Sequence, residues 1–410
     1  MDSRKCRFCN CPLNRIFIDL DESPLANSFL KESDFNTEKF YPLCTYLCEN
    51  CFLVQLEEQE TPENIFSNYA YFSSFSTTWL KHAQDFVEMI TKRLSLNNQS
   101  LVIEIASNDG YLLQNFIKKN ISVLGIEPAR NVAKVAIGNR ISTLVKFFNS
   151  KLAKKLTKDG TIADLIIGNN VLAHVPCLND FIDGLKILLK PSGVITLEFP
   201  HLLQLMKNNQ FDTIYHEHFS YFSLLTTQKI FDNHDLKIFD VDEISTHGGS
   251  LRLYVTHKEN NQILVSNNVL IVLEKEKFFG LEKISTYDKF SKHISKINFD
   301  LQNFIKTVKN ESKSIVCYGA PAKGNILLNY CNLSSDQIDY TVDKNPYKQN
   351  LFLPGTHIPI YSPEKIKETK PDYVLILPWN LKDEIIDEIK YIREWNGKFV
   401  VPIPEVKILN

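Results

Sequence analysis

The chain is poor in glycine and has no long apolar run, and both features restrict its function. Its 14 glycines in 410 residues never form a GxGxxG pattern, which argues against a pyrophosphate-binding turn after the first strand. No segment reaches the roughly 18 apolar residues that a membrane helix needs. The start MDSRKCRFCNCPL lacks the apolar core of a secretory signal. We therefore expect a cytoplasmic protein with no membrane partner.

The chain also lacks an excess of either charge. Its 46 basic and 48 acidic residues give a formal net charge of −2, and no basic block stands out. Proteins that bind RNA or DNA usually present a basic face, because phosphate neutralisation dominates their affinity. A nucleic-acid partner is therefore not expected. The length is typical of two or three globular domains.

Cysteine is present in an uneven distribution. Six of the nine cysteines lie within the first 51 residues, where Cys6-x2-Cys9 and Cys48-x2-Cys51 form two knuckles. Without a secretory signal, such clustering favours metal binding over disulfides, and four soft ligands with no open position suit structural zinc. The sequence predicts a small zinc-binding domain over residues 1–66, with Cys11 and Cys44 as spare thiols.

Strands and helices alternate from residue 100 onward. Apolar runs at 100–105, 122–126, 163–167 and 193–198 are separated by helical patterns, which predicts a parallel α/β sheet. Two further strands with no helix between them close this region, as in class I methyltransferases. We therefore expect a Rossmann-like methyltransferase core over 67–258. A fresh strand-to-helix unit after it predicts a C-terminal Rossmann-like α/β domain over 259–410.

The turn after the first strand of the core resembles the first motif of class I methyltransferases. It carries Glu104, Ala106, Asn108 and Gly110, with alanine where glycine is usual. Glu127 ends the next strand, where an acidic side chain can accept hydrogen bonds from both ribose hydroxyls. These residues predict a site for S-adenosylmethionine (SAM), and an ordinary strand-to-helix turn is the alternative.

Polar residues also follow the fourth strand of the core, at its carboxyl end. Asn169, Asn170 and His174 lie in the segment NNVLAHV, where such sheets bind ligands. If the segment is helical, Asn170 and His174 share one face of the helix. A histidine that merely caps the helix is the alternative.

The densest group of polar side chains is DTIYHEHF. A histidine of this segment, either His216 or His218, can act as a general base near neutral pH, a glutamate such as Glu217 can fix its tautomer, and a tyrosine such as Tyr215 can hydrogen-bond an oxyanion. A polar loop is the alternative. Arg252, in the downstream segment THGGSLR, is a candidate for the rim of the substrate site, although a plain hairpin turn explains that segment equally well.

The last domain opens with GAPAKG between a strand and a helix. Small residues, N–H groups at a helix start and one lysine form an anion cradle, made here by Ala322, Lys323 and Gly324. Asp343 ends the following strand. The pattern predicts binding of a nucleotide diphosphate, and a glycine turn with a surface lysine is the alternative.

Over nearly its whole length the chain resembles the sugar C-methyltransferases of deoxysugar biosynthesis, of the 3-C-methyltransferase type. The resemblance lies in the paired knuckles and in PLANSFL, NYAYFSSFSTTWLKHA, EIASNDGYLL, GIEPARNVA, NNVLAHV, EFPHL, FDTIYHEHFSYFS, THGGSLR, GAPAKG and VDKNPYKQNLFLPGTHIPI. It implies a zinc domain, a SAM-binding core and a nucleotide-sugar domain. The implied reaction methylates a carbon next to the ketone of a deoxy-ketosugar linked to dTDP or GDP.

By the same resemblance, His218 is the leading base, with Tyr215 and Glu217 beside it. Asn170 and His174 line the site, and either Tyr69 or Tyr71 approaches the sugar. Ala106 departs from the family pattern, and its methyl group is tolerated if φ stays negative.

Other functions stay open at this stage. They are an O- or N-methyltransferase of small molecules, a nucleotide-sugar oxidoreductase, a zinc-containing RNA methyltransferase and a non-catalytic sugar-binding relative. The sequence predicts no oligomeric state.

Overall fold

A computed structural model describes residues 4–66, 73–75 and 77–409 of the chain. Tyr69 and Tyr71 lie outside the described residues. Within these residues the strands are β1 (Arg15–Ser23), β2 (Tyr41–Leu47), β3 (Val54–Leu56), β4 (Leu101–Ile105), β5 (Ser122–Ile126), β6 (Thr143–Leu144), β7 (Ala163–Asn169), β8 (Leu189–Pro200), β9 (Ser220–Tyr221), β10 (Leu236–Ile244), β11 (Ser250–His257), β12 (Ile315–Tyr318), β13 (Thr341–Val342), β14 (Ile360–Tyr361), β15 (Tyr373–Ile376), β16 (Lys398–Val401) and β17 (Lys407–Leu409).

The α-helices of the same residues are α1 (Pro62–Phe66), α2 (Thr77–Arg93), α3 (Leu113–Ile117), α4 (Arg130–Gly138), α5 (Ser150–Lys158), α6 (Leu178–Leu188), α7 (Leu202–Lys207), α8 (Leu224–Asn233), α9 (Asn267–Phe279), α10 (Ile284–Tyr287), α11 (Phe290–Asn310), α12 (Ala322–Tyr330), α13 (Lys365–Thr369) and α14 (Lys382–Glu388). Across the described part of the chain, no helix combines the length and the apolar character that a bilayer crossing requires.

The first of two compact units contains the described residues up to Asn14, Cys48–His201 and Phe219–Glu282. Seven of its described strands form one sheet in the order β10-β11-β8-β7-β4-β5-β6. Strands β4 to β8 pair in parallel, whereas β11 is antiparallel to both β8 and β10. Parallel strands covered on both faces need a mainly apolar sequence, and β4 and β7 are mainly apolar, with Glu104 and Asp164 as the charged exceptions. The unit has the class I methyltransferase fold that the sequence predicts.

Helix α2 packs against this sheet through an apolar stripe at helical spacing. Phe86, Val87 and Ile90 are buried in one cluster with Val102 of β4 and Leu165 of β7. Burying each of these side chains stabilises the fold by about 1.5–3 kcal/mol, so packing rather than helix propensity holds α2 in place. The short strands β3 and β9 pair antiparallel in the same unit.

The second unit contains Arg15–Leu47, Leu202–His218 and the described residues from Lys283 onward. Its larger sheet has six described strands in the order β14-β13-β12-β15-β16-β17, and all pair in parallel except the edge strand β17. This is the Rossmann-like C-terminal sheet that the sequence predicts. Strands β1 and β2 pair antiparallel, and α11 packs on β1, where the rings of Phe17 and Phe290 stack at 4.9 Å.

The compact units divide the chain at places that differ from the predicted boundaries. The division into 1–66, 67–258 and 259–410 stays a prediction. In the structure, residues 15–47 separate from the cysteine knuckles, and 202–218 separate from the methyltransferase sheet. The composition and pattern of successive segments show where the sequence changes in character. They cannot show that a later segment completes the fold of an earlier one.

The sequence pattern of residues 382–395 predicts a single helix, but the helix is shorter in the structure. It ends as α14 at Glu388, and the chain continues as a 3₁₀ helix over Lys390–Trp395. That turn ends at Asn396, which has a φ of +64°, a left-handed conformation that asparagine tolerates well at a helix end.

Candidate active site and metal centre

The structure brings together the thiols of the two knuckles, which are Cys6, Cys9, Cys48 and Cys51. Their sulfur atoms all lie within 4.8 Å of one another, and the hydrogen-bonded pairs are 3.5 and 3.6 Å apart. Thiolates bound to tetrahedral zinc at about 2.3 Å stand roughly 3.8 Å apart, so the cluster has the size and chemistry that zinc requires. The chain therefore has the predicted structural zinc site. Neither Cys11 nor Cys44 belongs to the cluster.

Arg7 lies between the first two zinc ligands and connects the knuckle to the turn after β7. Its Nη1 donates to the carbonyl oxygen of Pro176 at 3.2 Å, and its guanidinium lies 5.1 Å from the ring centre of Phe219. Burial lowers the pKa of the guanidinium. The N–H of Phe219 donates to the carbonyl of Ala173 at 2.7 Å. The zinc site thus braces, within the first unit, the turn that carries His174.

The carboxyl ends of β4 and β5 meet at one edge of the first sheet, where the predicted cofactor residues lie. Glu127 accepts the N–H of Asn108 through Oε2 and the N–H of Ala129 through Oε1, both at 2.8 Å. Burial raises the pKa of Glu127, and the two N–H bonds oppose that rise. A carboxylate fixed in this way still has lone pairs that can accept ribose hydroxyls.

The turn after β4 passes three times through the left-handed region. The φ angles are +55° at Ala106, +51° at Asn108 and +81° at Gly110. The negative φ under which the methyl group of Ala106 would be tolerated is therefore not found. An alanine in this region costs about 1–2 kcal/mol, whereas asparagine and glycine tolerate it. At Gly110 a Cβ would lie 2.2 Å from Cδ1 of Ile141, so that position also needs glycine for space.

Several buried oxygen atoms at this edge have no hydrogen-bond partner among the described residues. They are Glu104 Oε2, Asp109 Oδ1, Asn169 Oδ1 and Asn170 Oδ1. Burial, with the nearby charges of Glu127 and Asp109, raises the pKa of Glu104 well above its usual value. Unsatisfied buried acceptors are rare, and a ligand rich in hydroxyl and amino donors would satisfy them. The residues therefore fit SAM.

The segment that follows β7 is a tight turn rather than an α-helix. Asn170 has a φ of +53°, and its N–H donates to the carbonyl of Glu198 at 2.7 Å. His174 ends a 3₁₀ turn, and its ring meets Phe66 edge-on at 5.4 Å. Asn170 and His174 therefore do not share a helix face. Instead the amide nitrogen of Asn170 lies 3.2 Å from Nε2 of His247.

Glu198 near the end of β8 is a fully buried carboxylate to which the sequence analysis assigns no role. It accepts from His82 at 3.0 Å, from Arg252 at 3.0 Å and from Thr246 at 3.1 Å. Burial raises the pKa of Glu198, but His82 and Arg252 outweigh that effect and lower it. The guanidinium of Arg252 also lies 4.5 Å from the ring centre of Phe86. Arg252 is thus engaged with Glu198, and its role at the substrate rim stays a prediction.

The YHEHF segment contains a buried histidine with a defined hydrogen bond. Nδ1 of His218 lies 2.9 Å from the carbonyl oxygen of Thr213, and the ring of Tyr215 lies 4.0 Å from the His218 ring. A carbonyl oxygen can only accept, so Nδ1 carries the proton and Nε2 is the basic nitrogen of the neutral imidazole.

The other two polar residues of this segment are buried as well. Glu217 accepts from the side-chain amide of Asn27 at 2.7 Å, and burial raises its pKa to about 7. His216 donates through Nε2 to the carbonyl of Pro42 at 3.2 Å, and burial lowers its pKa. A carboxyl group that is still partly protonated at pH 7 and an imidazole that is mainly neutral are therefore neighbours in sequence here.

The GAPAKG turn connects β12 to α12. Gly319 has a φ of +90°, and the N–H of Ala320 donates to Asp343 at 2.8 Å. Ala322 and Gly324 lie in the first turn of α12. One N–H group of the predicted anion cradle is thus occupied by Asp343, whose own contact with a substrate stays a prediction.

Lys323 lies in the same turn of helix, and its surroundings were not predicted. Its ammonium lies 4.4 Å from the ring centre of Trp379 and donates to the side chain of Asn380. Burial lowers the pKa of Lys323 to about 8, although the charge of Asp212 opposes the shift. Sequence reasoning could not find Trp379 or Asn380, because they lie far along the chain in a segment with no motif.

Three family models match the chain in succession. Residues 6–66 match the model described as "Putative zinc binding domain", 79–241 match "Methyltransferase domain", and 245–404 match "C-methyltransferase C-terminal domain". C-methyltransferase NovU from Streptomyces niveus is 34% identical over 407 residues, which cover 99% of this chain and 97% of that protein.

Two of the solved structures that resemble the chain cover about half of it. The PH0226 protein from Pyrococcus horikoshii OT3 is 14% identical with a TM-score of 0.38, covering 48% of this chain and 98% of that one. Magnesium protoporphyrin IX methyltransferase from Synechocystis PCC 6803 with bound SAM is 16% identical with a TM-score of 0.33, covering 44% and 81%. At these scores the likeness carries no argument about this chain.

Proposed function

Because this chain belongs to the sugar C-methyltransferase family of deoxysugar biosynthesis, we propose that its substrate is a nucleotide-linked deoxy-ketosugar. The methyl group of SAM goes to a ring carbon next to the ketone. A base of this chain removes the proton from that carbon, and the resulting enolate carbon forms the new bond. We place the reaction in the cytoplasm, where thiols such as those of the zinc site stay reduced.

The hydrogen bond between His218 and Thr213 is the observation that carries the proposal. The carbonyl of Thr213 fixes the proton on Nδ1, so the basic lone pair of the neutral imidazole is on Nε2. An imidazole titrates near neutral pH, which is where a general base is most effective. When Nε2 takes up the substrate proton, the resulting imidazolium keeps its Nδ1–H bond to the carbonyl, which stabilises the new charge.

An enolate also needs a group that stabilises its oxygen. The phenol of Tyr215, whose ring packs on His218, is the donor that we assign to this oxygen. Glu217, with a pKa of about 7, is a carboxyl group that can hold a proton near neutrality. Such preorganised donors contribute on the order of 10²–10³ in rate. His174 is a further candidate, together with Tyr69 or Tyr71.

The cofactor-facing edge of the first unit is assigned to SAM. Glu127 accepts the ribose hydroxyls, and the side-chain oxygens of Glu104, Asn169 and Asn170 receive the remaining donors. The turn through Ala106, Asn108 and Gly110 gives the cofactor close access to the backbone. When bound, SAM supplies an electrophilic methyl group on a positively charged sulfur.

The start of α12 in the second unit is assigned to the nucleotide diphosphate. Lys323 provides the positive charge, Ala322 and Gly324 allow close approach of the phosphates, and Asp343 holds the turn. Arg252 is assigned to the rim of the sugar site. The nucleotide that we propose is dTDP or GDP.

A panel of dTDP- and GDP-linked 4-keto-6-deoxyhexoses tests this function. Incubation with SAM should give a product in which one hydrogen is replaced by a methyl group, and carbon NMR should place that methyl on a ring carbon next to the ketone, which the reaction retains. With S-adenosylhomocysteine in place of SAM, the protein should exchange the hydrogen of that carbon with deuterated water. A methyl group found on oxygen or nitrogen would contradict C-methylation.

A further inference from the structure

A buried carboxylate comes directly before the residue whose carbonyl binds His218. Asp212 is inaccessible to solvent and lies in the 3₁₀ turn Phe211–Thr213. Its Oδ2 accepts the indole N–H of Trp379 at 2.7 Å, while Oδ1 has no hydrogen-bond partner among the described residues. Removing a carboxylate from water is costly, and a retained buried carboxylate calls for an explanation.

The geometry of the turn gives that explanation. The N–H of Ile214 donates to the carbonyl of Phe211 at 2.9 Å, and the hydroxyl of Thr213 donates to the carbonyl of Gln210 at 2.7 Å. These two bonds fix the orientation of the peptide group that joins Thr213 to Ile214. The carbonyl of Thr213 belongs to this peptide, and it sets the direction of the His218 ring. Anything that anchors Asp212 therefore also sets where Nε2 of His218 points.

We propose that Trp379 is a positioning residue for His218, acting through the Asp212 carboxylate and the Thr213 carbonyl, an inference that rests on the proposed function. Trp379 is well placed for this role because its indole is almost fully buried and contacts Lys323 as well as Asp212. The ammonium of Lys323 lies 4.4 Å from its ring centre. One indole therefore contacts both the lysine of the substrate-binding turn and the carboxylate beside the base.

The test replaces the indole by a ring without the N–H group. In Trp379→Phe the rate of hydrogen exchange into the ketosugars, measured with S-adenosylhomocysteine, should fall roughly 10- to 100-fold, because the hydrogen bond that anchors the buried Asp212 carboxyl, whose pKa burial raises to about 7, is lost. Trp395→Phe is the matched control, since that indole donates to Pro371 in the same unit, and its exchange rate should equal that of the wild type. The affinity for S-adenosylhomocysteine should not change in either variant.

The pH profile separates positioning from a loss of folded protein. If Nδ1 of His218 no longer meets the Thr213 carbonyl, the imidazolium is less stable, so the acid limb of the exchange rate should move to lower pH in Trp379→Phe. A smaller folded fraction would scale the profile without moving it. Asp212→Asn keeps an acceptor for Trp379, so its exchange rate should stay within roughly threefold of wild type.

Each outcome decides between the alternatives. If the wild type exchanges no sugar of the panel, the proposed function fails, and that is seen without any variant. If the wild type exchanges the sugar hydrogen, and Trp379→Phe exchanges it at the same rate and with the acid limb of its pH profile at the same pH, the positioning role is overturned while the proposed function stands. If Trp379→Phe does not fold, Asp212→Ala removes the acceptor of the same hydrogen bond. A wild-type pH profile of the exchange rate in that variant would also overturn the positioning role.

Discussion

The side-chain amide of Asn27 lies 2.7 Å from Oε1 of Glu217, although 190 positions of the chain separate them. Glu217 is buried, and this burial raises its pKa to about 7, while the bond from Asn27 opposes the rise. The folded protein therefore binds a proton at Glu217 in a pH range where an exposed carboxyl is ionised.

Glu217→Gln should be more stable than the wild type at pH 8. The unfolded chain releases the Glu217 proton near pH 4.3 and the folded chain near pH 7, so the wild type loses stability as the pH rises between these values. A glutamine keeps the acceptor for Asn27 without that loss. Thermal unfolding at pH 5 and pH 8 should show an advantage that grows with pH, on the order of 2 kcal/mol. Glu394→Gln, at an exposed site, should show no such growth.

His218→Ala should bind S-adenosylhomocysteine as the wild type does but should neither exchange the substrate hydrogen nor methylate. A carbon acid beside a ketone needs a base, which contributes on the order of 10²–10⁴ in rate. Deuterium incorporation by mass spectrometry measures the first step alone. His293→Gln, on an exposed face of α11, is the control. Exchange at the wild-type rate in His218→Ala would move the base to Tyr215, His174 or His216, in that order.

Purified protein should contain close to one zinc per chain. Cys48→Ser should lose metal and stability together, because three thiolates leave an open position and binding free energy is folding free energy at such a site. Elemental analysis and thermal unfolding measure the two effects. Cys11→Ser removes a thiol next to the cluster but outside it and should keep full metal content. A metal-depleted Cys11→Ser would mean that the ligand set is wrong.

Lys323→Ala should raise the KM of the sugar nucleotide much more than that of SAM. In the proposed placement its charge would contact the diphosphate equally in the ground state and in the transition state, so kcat should change little. Because burial lowers the pKa of Lys323 to about 8, the sugar KM of the wild type should rise above pH 8 as the ammonium loses its proton. A Lys323→Ala variant that weakens only SAM binding would contradict this placement.

Ala106→Gly should stabilise the protein. The φ of +55° strains an alanine by about 1–2 kcal/mol and does not strain a glycine, although the extra backbone freedom of glycine offsets part of the gain. The same substitution at Ala153, inside helix α5, should destabilise by about 1 kcal/mol or more. Chemical denaturation of both variants measures the change in the free energy of unfolding. If Ala106→Gly destabilises the protein as Ala153→Gly does, Ala106 is not strained.

Regular features of the sequence predict most of the first sheet. The apolar runs of β4, β5, β7 and β8 and the hairpin of β10 and β11 follow from burial on both faces, and the knuckle spacing identifies the zinc ligands. The sequence around Glu198 also contains a signal that would have predicted a buried ion pair. A glutamate in the buried strand sequence VITLEFP needs a charged partner, which His82 and Arg252 supply.

The remaining features depend on tertiary contacts that no local pattern contains. Trp379 and Asp212 lie 167 residues apart; Trp379 lies in a segment without a motif, and the DTIYHEHF segment does not show which side chain the Asp212 carboxylate contacts. The left-handed conformation of Ala106 was missed because alanine carries no preference for it, and the surrounding turn imposes it. The helix face predicted for Asn170 and His174 failed because the carbonyl of Glu198 holds the N–H of Asn170 in a turn.

The second unit is assembled from stretches at both ends of the chain, which matters for its synthesis on the ribosome. Strand β1 emerges early, but α11, which covers Phe17 with Phe290, is translated far later. At roughly 5–20 residues per second the interval lasts tens of seconds. Throughout it the nascent chain exposes the apolar side of β1, a surface that chaperones bind. A polypeptide released directly before Lys283 would thus contain the whole of the first unit, but its second unit would lack the C-terminal stretch and could not fold.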